Sequence, residues 1–217
     1  MFSRGIALTL VALSAVTPHA RAADVATADV LVQAGHQGRP DCHFEPPSLC
    51  RNTGASRSPG EIAWTPIVAN EATRVLEAHG VSVLRMPAYL PRHYNVAVAV
   101  FIHFDAIPDP NRPCNAHSSV GYPHGEGSKA LAQAWKAFYG RYWHYGFASD
   151  NYTSNLGGYY GYDHVTASKG QLLIEGGEMT CPADYAWLRS HLTFLGRLVA
   201  YFVSRQIGKG NVPLPRE

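Results

Sequence analysis

Two histidines and two glutamates of this 217-residue chain are of the right type, and at the right places, to hold a metal and move a proton. His36 follows the apolar run Leu31-Val-Gln-Ala-Gly35, and His103 sits inside Val100-Phe-Ile-His-Phe-Asp-Ala106. Glu61 opens an amphipathic segment, and Glu175 closes Gln171-Leu-Leu-Ile174. Two imidazoles and a carboxylate from separate elements, with one position left open, form the donor set of a catalytic zinc site. The candidate ligands are His36, Glu61 and His103. Zinc so held lowers the pKa of water and polarises a carbonyl. Hydrolysis at such a centre also needs a base that carries the proton of water to the leaving nitrogen. Glu175 fits that task, because a carboxyl against an apolar wall has reason to hold its proton.

Each residue also has a plainer reading. His36 could bond loop backbone, and His103 could be a satisfied core histidine. Ser58 and Glu61 form a capping-box pair, which competes for the same carboxylate. Glu71 is a substitute ligand, deeper in the helix and off its apolar stripe. Glu175 could instead pair with Arg74, Arg85 or Arg92, since a buried carboxylate without a partner is costly. Glu178 could share its role. His117, His124, His144 and His164 are further candidates in long loops, and Tyr142, Tyr145, Tyr152, Tyr159, Tyr160 and Tyr162 could line a groove or simply pack.

The elements that must position these groups follow from the pattern of apolar residues. Asp29 to Ala34 reads as a buried strand, and Arg39 to Gly60 as a loop. A helix starts near Ser58-Pro59, buries Trp64, Val68, Ala72, Val75 and Leu76 on one stripe, and stops before Gly80. Val81 to Met86 and Ala97 to Phe104 are strands. Gly127 to Tyr139 is a helix with Leu131, Trp135 and Phe138 on one face. Tyr142 to His164, rich in Tyr, Gly and Asn, could be an irregular loop or a small antiparallel insertion. Gln171 to Ile174 is a short core strand, and Asp184 to Arg205 the last helix, with a loose tail after Gly208. Strand, helix, strand order predicts an α/β fold: one mixed, mostly parallel twisted sheet with helices on both faces. Sites in such sheets gather at the carboxyl ends of the strands, where His36, Glu61 and His103 would meet.

The chain as a whole narrows the function further. Arg4, the apolar run Ile6 to Val16 and Ala20-Arg21-Ala22 read as a signal peptide over residues 1–22. Residues 23–217 then form one domain, expected to be exported, periplasmic or secreted. Cleavage would remove Arg4 and Arg21 and no acid, so the formal charge of +2 would fall to zero. With no basic block, a nucleic-acid partner is disfavoured. Four cysteines suit an oxidising compartment. Of the three possible pairings, Cys42–Cys50 and Cys114–Cys181 are favoured over a cysteine zinc site, since the chain has no Cys-x-x-Cys pair.

The same residues carry a resemblance. Val-Gln-Ala-Gly-His-Gln-Gly, Ser-Pro-Gly-Glu before a helix, Phe-Ile-His-Phe-Asp-Ala, Leu-Leu-Ile-Glu-Gly-Gly-Glu and Asp184-Tyr-Ala-Trp-Leu are similar to motifs of the zinc-dependent N-acetylmuramoyl-L-alanine amidases of the Amidase_3 type. The likeness spans roughly residues 28–205. It implies a phosphorylase/hydrolase-like architecture, Zn2+ on His36, Glu61 and His103, and catalysis by Glu175. The implied substrate is peptidoglycan or a muropeptide, and the implied bond joins N-acetylmuramic acid to L-alanine. A zinc peptidase or amidase acting on another amide, or a wall-binding protein without turnover, are the alternatives. The chain departs from the family pattern in three places. Phe104-Asp105 replaces a small residue and asparagine. The segment holding Pro87, Pro91 and Arg92 is short, and Asn111 to His124 stands where an Arg-Gly-x-Glu-type strand is usual.

Overall fold

A run such as Val96-Ala-Val-Ala-Val-Phe-Ile102 has apolar side chains at successive positions, which suits a strand covered on both faces. The computed structural model, which describes residues 25–38, 60–106, 114–115 and 117–217, places this run in the middle of a sheet. Its elements in chain order are β1 (Ala26–Thr27), β2 (Val30–Ala34), α1 (Gly60–Ala78), β3 (Val83–Met86), β4 (Tyr94–Asp105) and β5 (Ser119–Gly121). There follow α2 (Glu126–Tyr139), α3 (Ser154–Gly157), a 3₁₀ turn (Tyr160–His164), β6 (Val165–Glu178) and α4 (Pro182–Ile207). The strand order is β3-β2-β4-β6-β5, with β1 beside the start of β4. Every described pairing is parallel except β5 with β6.

The two faces are covered unequally. On one, Val98, Val100, Ile102, Phe104, Leu172 and Ile174 pack with the buried stripes of α1, α2 and α4, including Trp64, Leu131, Trp135 and Leu195. Each such large apolar side chain contributes about 1.5–3 kcal/mol by leaving water. On the other face Leu31, Ala99, Phe101 and Leu173 meet Leu90, Leu156 and Tyr162, carried by the segment before β4, by α3 and by the 3₁₀ turn. The sheet therefore has helices on both faces, long on one side and short on the other.

Two irregularities in the β4–β6 ladder set which side chains face which layer. The first lies between Val96 and Val98, where the N–H groups of Ala97 and Val98 both reach the Asp29 carbonyl. Tyr94 and Val96 consequently join the same thin layer as Ala99 and Phe101. The second follows His103, which is paired with Glu175, whereas Asp105 is paired with Glu178. One extra residue on β6 bulges it just past Glu175.

The structure lengthens several elements read from sequence. β6 begins at Val165 and β4 at Tyr94, because both strands run on beyond their uniformly apolar parts. β5 falls within the stretch Asn111 to His124 that carried no strand signal. Helix α1 continues through Pro66, and the left-handed Gly80 (φ 77°) follows its end. The tail after Gly208 is not loose at its start. Lys209 donates to Asp29 at 2.5 Å, and Val212 is buried in the main core.

Cys114 and Cys181 are joined across 67 residues, with Cα atoms 5.1 Å apart, which is the long-range pairing expected. The pair Cys42–Cys50, the cap Ser58-Pro59 and the 1–22 signal segment lie outside the described residues. Among those residues, no helix is long and apolar enough to cross a membrane.

Candidate metal centre and base

β2 ends at Ala34, and the chain turns at Gly35-His36. Gly35 donates its N–H to the Ile102 carbonyl at 2.9 Å and accepts from the Thr65 hydroxyl at 2.7 Å, so the turn is tied to β4 and α1 together. A Cβ on Gly35 would stand 2.3–2.6 Å from three atoms of the His103 ring. Only glycine leaves room for that ring. His36 takes the left-handed conformation, φ 61°, which costs a non-glycine residue roughly 1–2 kcal/mol. Strain of this kind persists where surrounding contacts enforce it.

Glu61 stands in the first turn of α1 and is 2 % exposed. Its Oε1 lies 3.2 Å from His103 Nδ1 and 3.4 Å from His36 Nε2, and it accepts the Phe104 N–H at 3.1 Å. The carboxylate is thus turned to the strand ends rather than to its own helix start. Burial raises its pKa, but the His103 bond and the charges of His36 and His103 outweigh that and hold it below the usual glutamate value. The rings of His36 and His103 meet edge to face, 5.0 Å between centres. One donor atom from each of the three residues fits within 4.8 Å of the others.

These residues fit a metal. His103 Nε2 is buried with no hydrogen-bond partner among the described residues, the ring space is kept open by Gly35, and the donor set of two imidazoles and one carboxylate is that of zinc. The cluster His36, Glu61, His103 can therefore coordinate a metal ion, as the sequence implied.

Glu175 enters from β6, in register with His103 on β4. By alternation with Phe101 and Leu173, both side chains belong to the thinly covered face. Glu175 is half-buried as a residue, and its Oε2 is closed off and has no partner among the described residues. Burial, then the charges of Asp105 and Glu61, push its pKa well above the carboxylate range. The arginines named as rival partners are engaged elsewhere. Arg74 pairs with Glu71, Arg85 reaches Asn70 and Gln37, and Arg92 lies over the Tyr94 ring.

Other candidates sort themselves by position. Glu71 bridges Arg74 and Arg197 at the surface and lies outside the donor cluster. Glu178 accepts the Thr180 N–H at 2.7 Å in the turn that follows β6. His124 and His144 are exposed, and His164 stacks edgewise on Tyr160. Of the tyrosines, Tyr162 is buried and bonds the Leu156 carbonyl, whereas Tyr159 places its ring 5.1 Å from that of His103 and bonds the buried Gln33. The glycines after Glu175 serve packing. A Cβ on Gly176 would meet Phe104 and one on Gly177 would meet Trp143, each at 2.6 Å.

Sequence reasoning missed the role of Tyr159 against His103 and the linkage of His117 to Asp105. Both contacts join distant segments, and no spacing rule announces them.

The sequence matches no protein-family model and no curated protein. Its structure does have counterparts. The catalytic domain of CwlV, an N-acetylmuramoyl-L-alanine amidase from Bacillus (Paenibacillus) polymyxa var. colistinus, superposes with a TM-score of 0.58 at 14% identity, over 85% of this chain and 99% of that one. The amidase Ami1 of Mycobacterium smegmatis gives 0.57 at 16% identity, over 85% and 98%. AmiC2 of Nostoc punctiforme gives 0.56 at 16%, over 84% and 98%. The chain shares the fold of these N-acetylmuramoyl-L-alanine amidases along nearly their whole length, and it carries a buried histidine–glutamate–histidine cluster able to hold a metal.

Proposed function

We propose that this protein is an exported zinc-dependent amidase of the cell wall that hydrolyses the amide between N-acetylmuramic acid and L-alanine. The observation that carries the reading is the juxtaposition of a three-donor cluster with Glu175, the residue in register with one of its ligands. The shared fold supports the substrate class, and the disulfide Cys114–Cys181 supports export to an oxidising compartment, periplasmic or secreted.

Zinc held by His36, Glu61 and His103 would supply a Lewis acid for the scissile carbonyl and for water. The protein side of the chemistry falls to Glu175. Its carboxylate receives a proton as the water oxygen bonds to the carbonyl carbon, and returns that proton to the amide nitrogen as the carbon–nitrogen bond breaks. The products are the free lactyl carboxylate and an L-alanine amino terminus. A raised pKa makes Glu175 the stronger proton acceptor in the first half of this cycle, and the nitrogen takes the proton back as it becomes basic on leaving. Glu61, kept ionised, and Gly35, kept small, hold the imidazoles for the metal.

Digestion of purified murein by the zinc-loaded protein, with mass spectrometry of the new ends, tests the proposal. Intact glycan and free L-alanine amino termini are expected. Internal peptide ends would show a peptidase on the same fold instead. Murein binding without any product, unchanged in Glu175→Ala, would show a wall-binding protein.

A further inference from the structure

A third histidine stands at this edge of the sheet, with both ring nitrogens and its backbone N–H engaged. His117 is 8 % exposed. Its Nε2 lies 3.2 Å from Asp105 Oδ2, its Nδ1 faces the Asn115 carbonyl oxygen, and its backbone N–H donates to Asp184 Oδ2 at 3.1 Å. A neutral imidazole carries one N–H. Two acceptors, one at each ring nitrogen, are both satisfied only by the imidazolium.

The charged neighbours agree. Asp105 comes from the end of β4, Glu178 from the end of β6 and Asp184 from the first turn of α4. Tyr152 borders the ring, 5.8 Å between centres. The Asp105 bond above all, then the Asn115 bond and the charges of Asp105 and Glu178, raises the His117 pKa against the effect of burial.

This histidine is also wired to the base. Asp105 stands two residues beyond His103 on β4, and His103 is paired with Glu175 on β6. The next residue, Ser118, donates its hydroxyl to the Glu175 carbonyl at 2.6 Å. The disulfide Cys114–Cys181 brackets the cluster, three residues before His117 and three before Asp184.

We propose that His117 is a positioning residue of this centre, an imidazolium that clamps Asp105, at the end of the strand that carries His103, to the segment leading into β5, where Ser118 holds the Glu175 backbone. Its consequence for turnover rests on the amidase reading, whereas the clamp itself does not, and the two are measured separately.

Nuclear magnetic resonance of the zinc-loaded protein with 15N-labelled histidine reads ring protonation without any substrate. His117 is expected to be doubly protonated at neutral pH in the wild type, and singly protonated in Asp105→Asn. A neutral His117 in the wild type would overturn the proposal. In murein digestion, His117→Ala and Asp105→Asn each lower kcat about 10–100-fold, the range seen when a residue supporting a metal ligand is removed. KM stays within about twofold and zinc content is unchanged. The double variant is no slower than the slower single one, because the two act as one unit. Additive losses would overturn the proposal. His117→Gln keeps a donor toward Asp105 and fills more of the site, so it stands in where His117→Ala fails to fold. Wild-type kcat in His117→Gln would count against the charge. If the wild type releases no product, the amidase reading fails and the resonance result still decides the clamp.

Discussion

His103 and Glu175 face each other on adjacent parallel strands, one a ligand candidate and the other a base candidate, at the last paired position before β6 bulges. Because the two strands are hydrogen-bonded partners, the spacing between metal donor and base is set by the sheet rather than by a loop. The bulge then lets β6 turn toward α4, with Gly176 and Gly177 packing under Phe104 and Trp143.

Glu175→Gln keeps the shape of the side chain and removes the proton carrier. Murein hydrolysis is expected to fall by about 10²–10⁴-fold, the usual contribution of a positioned base, with zinc content unchanged. Product analysis alongside metal analysis checks both halves. Near wild-type turnover would remove Glu175 from the chemistry.

The same substitution has a stability signature. The folded pKa of Glu175 is raised, by burial first and by Asp105 and Glu61 next. The native protein therefore binds this proton more tightly than the unfolded chain does. The favourable contribution is full below the unfolded pKa of about 4.3 and is lost as pH rises through the folded value. Metal-free Glu175→Gln should melt close to the wild type at about pH 4 and above it at neutral pH, since glutamine never ionises. Thermal denaturation followed by circular dichroism over that interval gives the comparison. A difference between variant and wild type that does not grow as pH rises would show that the carboxylate is well solvated.

Loss of any donor should abolish the metal's effect on stability. Zinc at 100 times its dissociation constant adds about 2.7 kcal/mol to a protein that binds it only when folded. Wild-type protein should melt at a higher temperature with zinc than with a chelator. His36→Ala, Glu61→Ala and His103→Ala should show no such difference. Full zinc occupancy in all three variants, read by elemental analysis, would dismantle the site.

Gly35→Ala tests the packing under the metal centre. The added methyl would stand 2.3–2.6 Å from the His103 ring, and both it and the ring are fixed by bonds to β4 and Glu61. Overpacking of this kind costs about 1–3 kcal/mol, and the displaced ring should weaken zinc binding at the same time. Calorimetric titration of the folded variant with zinc is the measurement. Wild-type affinity would mean that the ring has somewhere else to go.

Reduction of Cys114–Cys181 frees a loop of 67 residues. Loop-closure entropy then predicts a loss of about 4 kcal/mol. The Cys114→Ser/Cys181→Ser protein should fall below the oxidised wild type by about that amount in denaturant titrations. Equal stability of the oxidised and reduced wild type would refute the estimate.

The four chemistry-bearing residues stood out in the sequence, three because they mark a boundary and His103 because it interrupts the apolar run of β4. His36 follows β2, Glu61 opens α1, and Glu175 closes the apolar part of β6. Helices α1, α2 and α4 were legible for a similar reason, since each carries a buried stripe at helical spacing. β5 was not, because three residues flanked by loop carry no periodicity, and their strand conformation comes from pairing with β6. Glu71 and Glu61 could be ranked only roughly by sequence, as both lie on one helix. The structure separates them, with Glu61 buried at the strand ends and Glu71 between two surface arginines.

The sequence by itself determined the residue types of the centre, the parallel α/β character and the cysteines free to pair. These follow from local chemistry: which side chains coordinate, which alternate, which cap. Only the tertiary structure decided what those residues face. The ladder irregularities place His103 and Glu175 together on the thin layer, the bulge sets Asp105 against Glu178, and the segment before β5 brings His117 onto Asp105. Register and loop path depend on contacts across tens of residues, and a shift of one position along β4 would turn His103 and Asp105 to the other face.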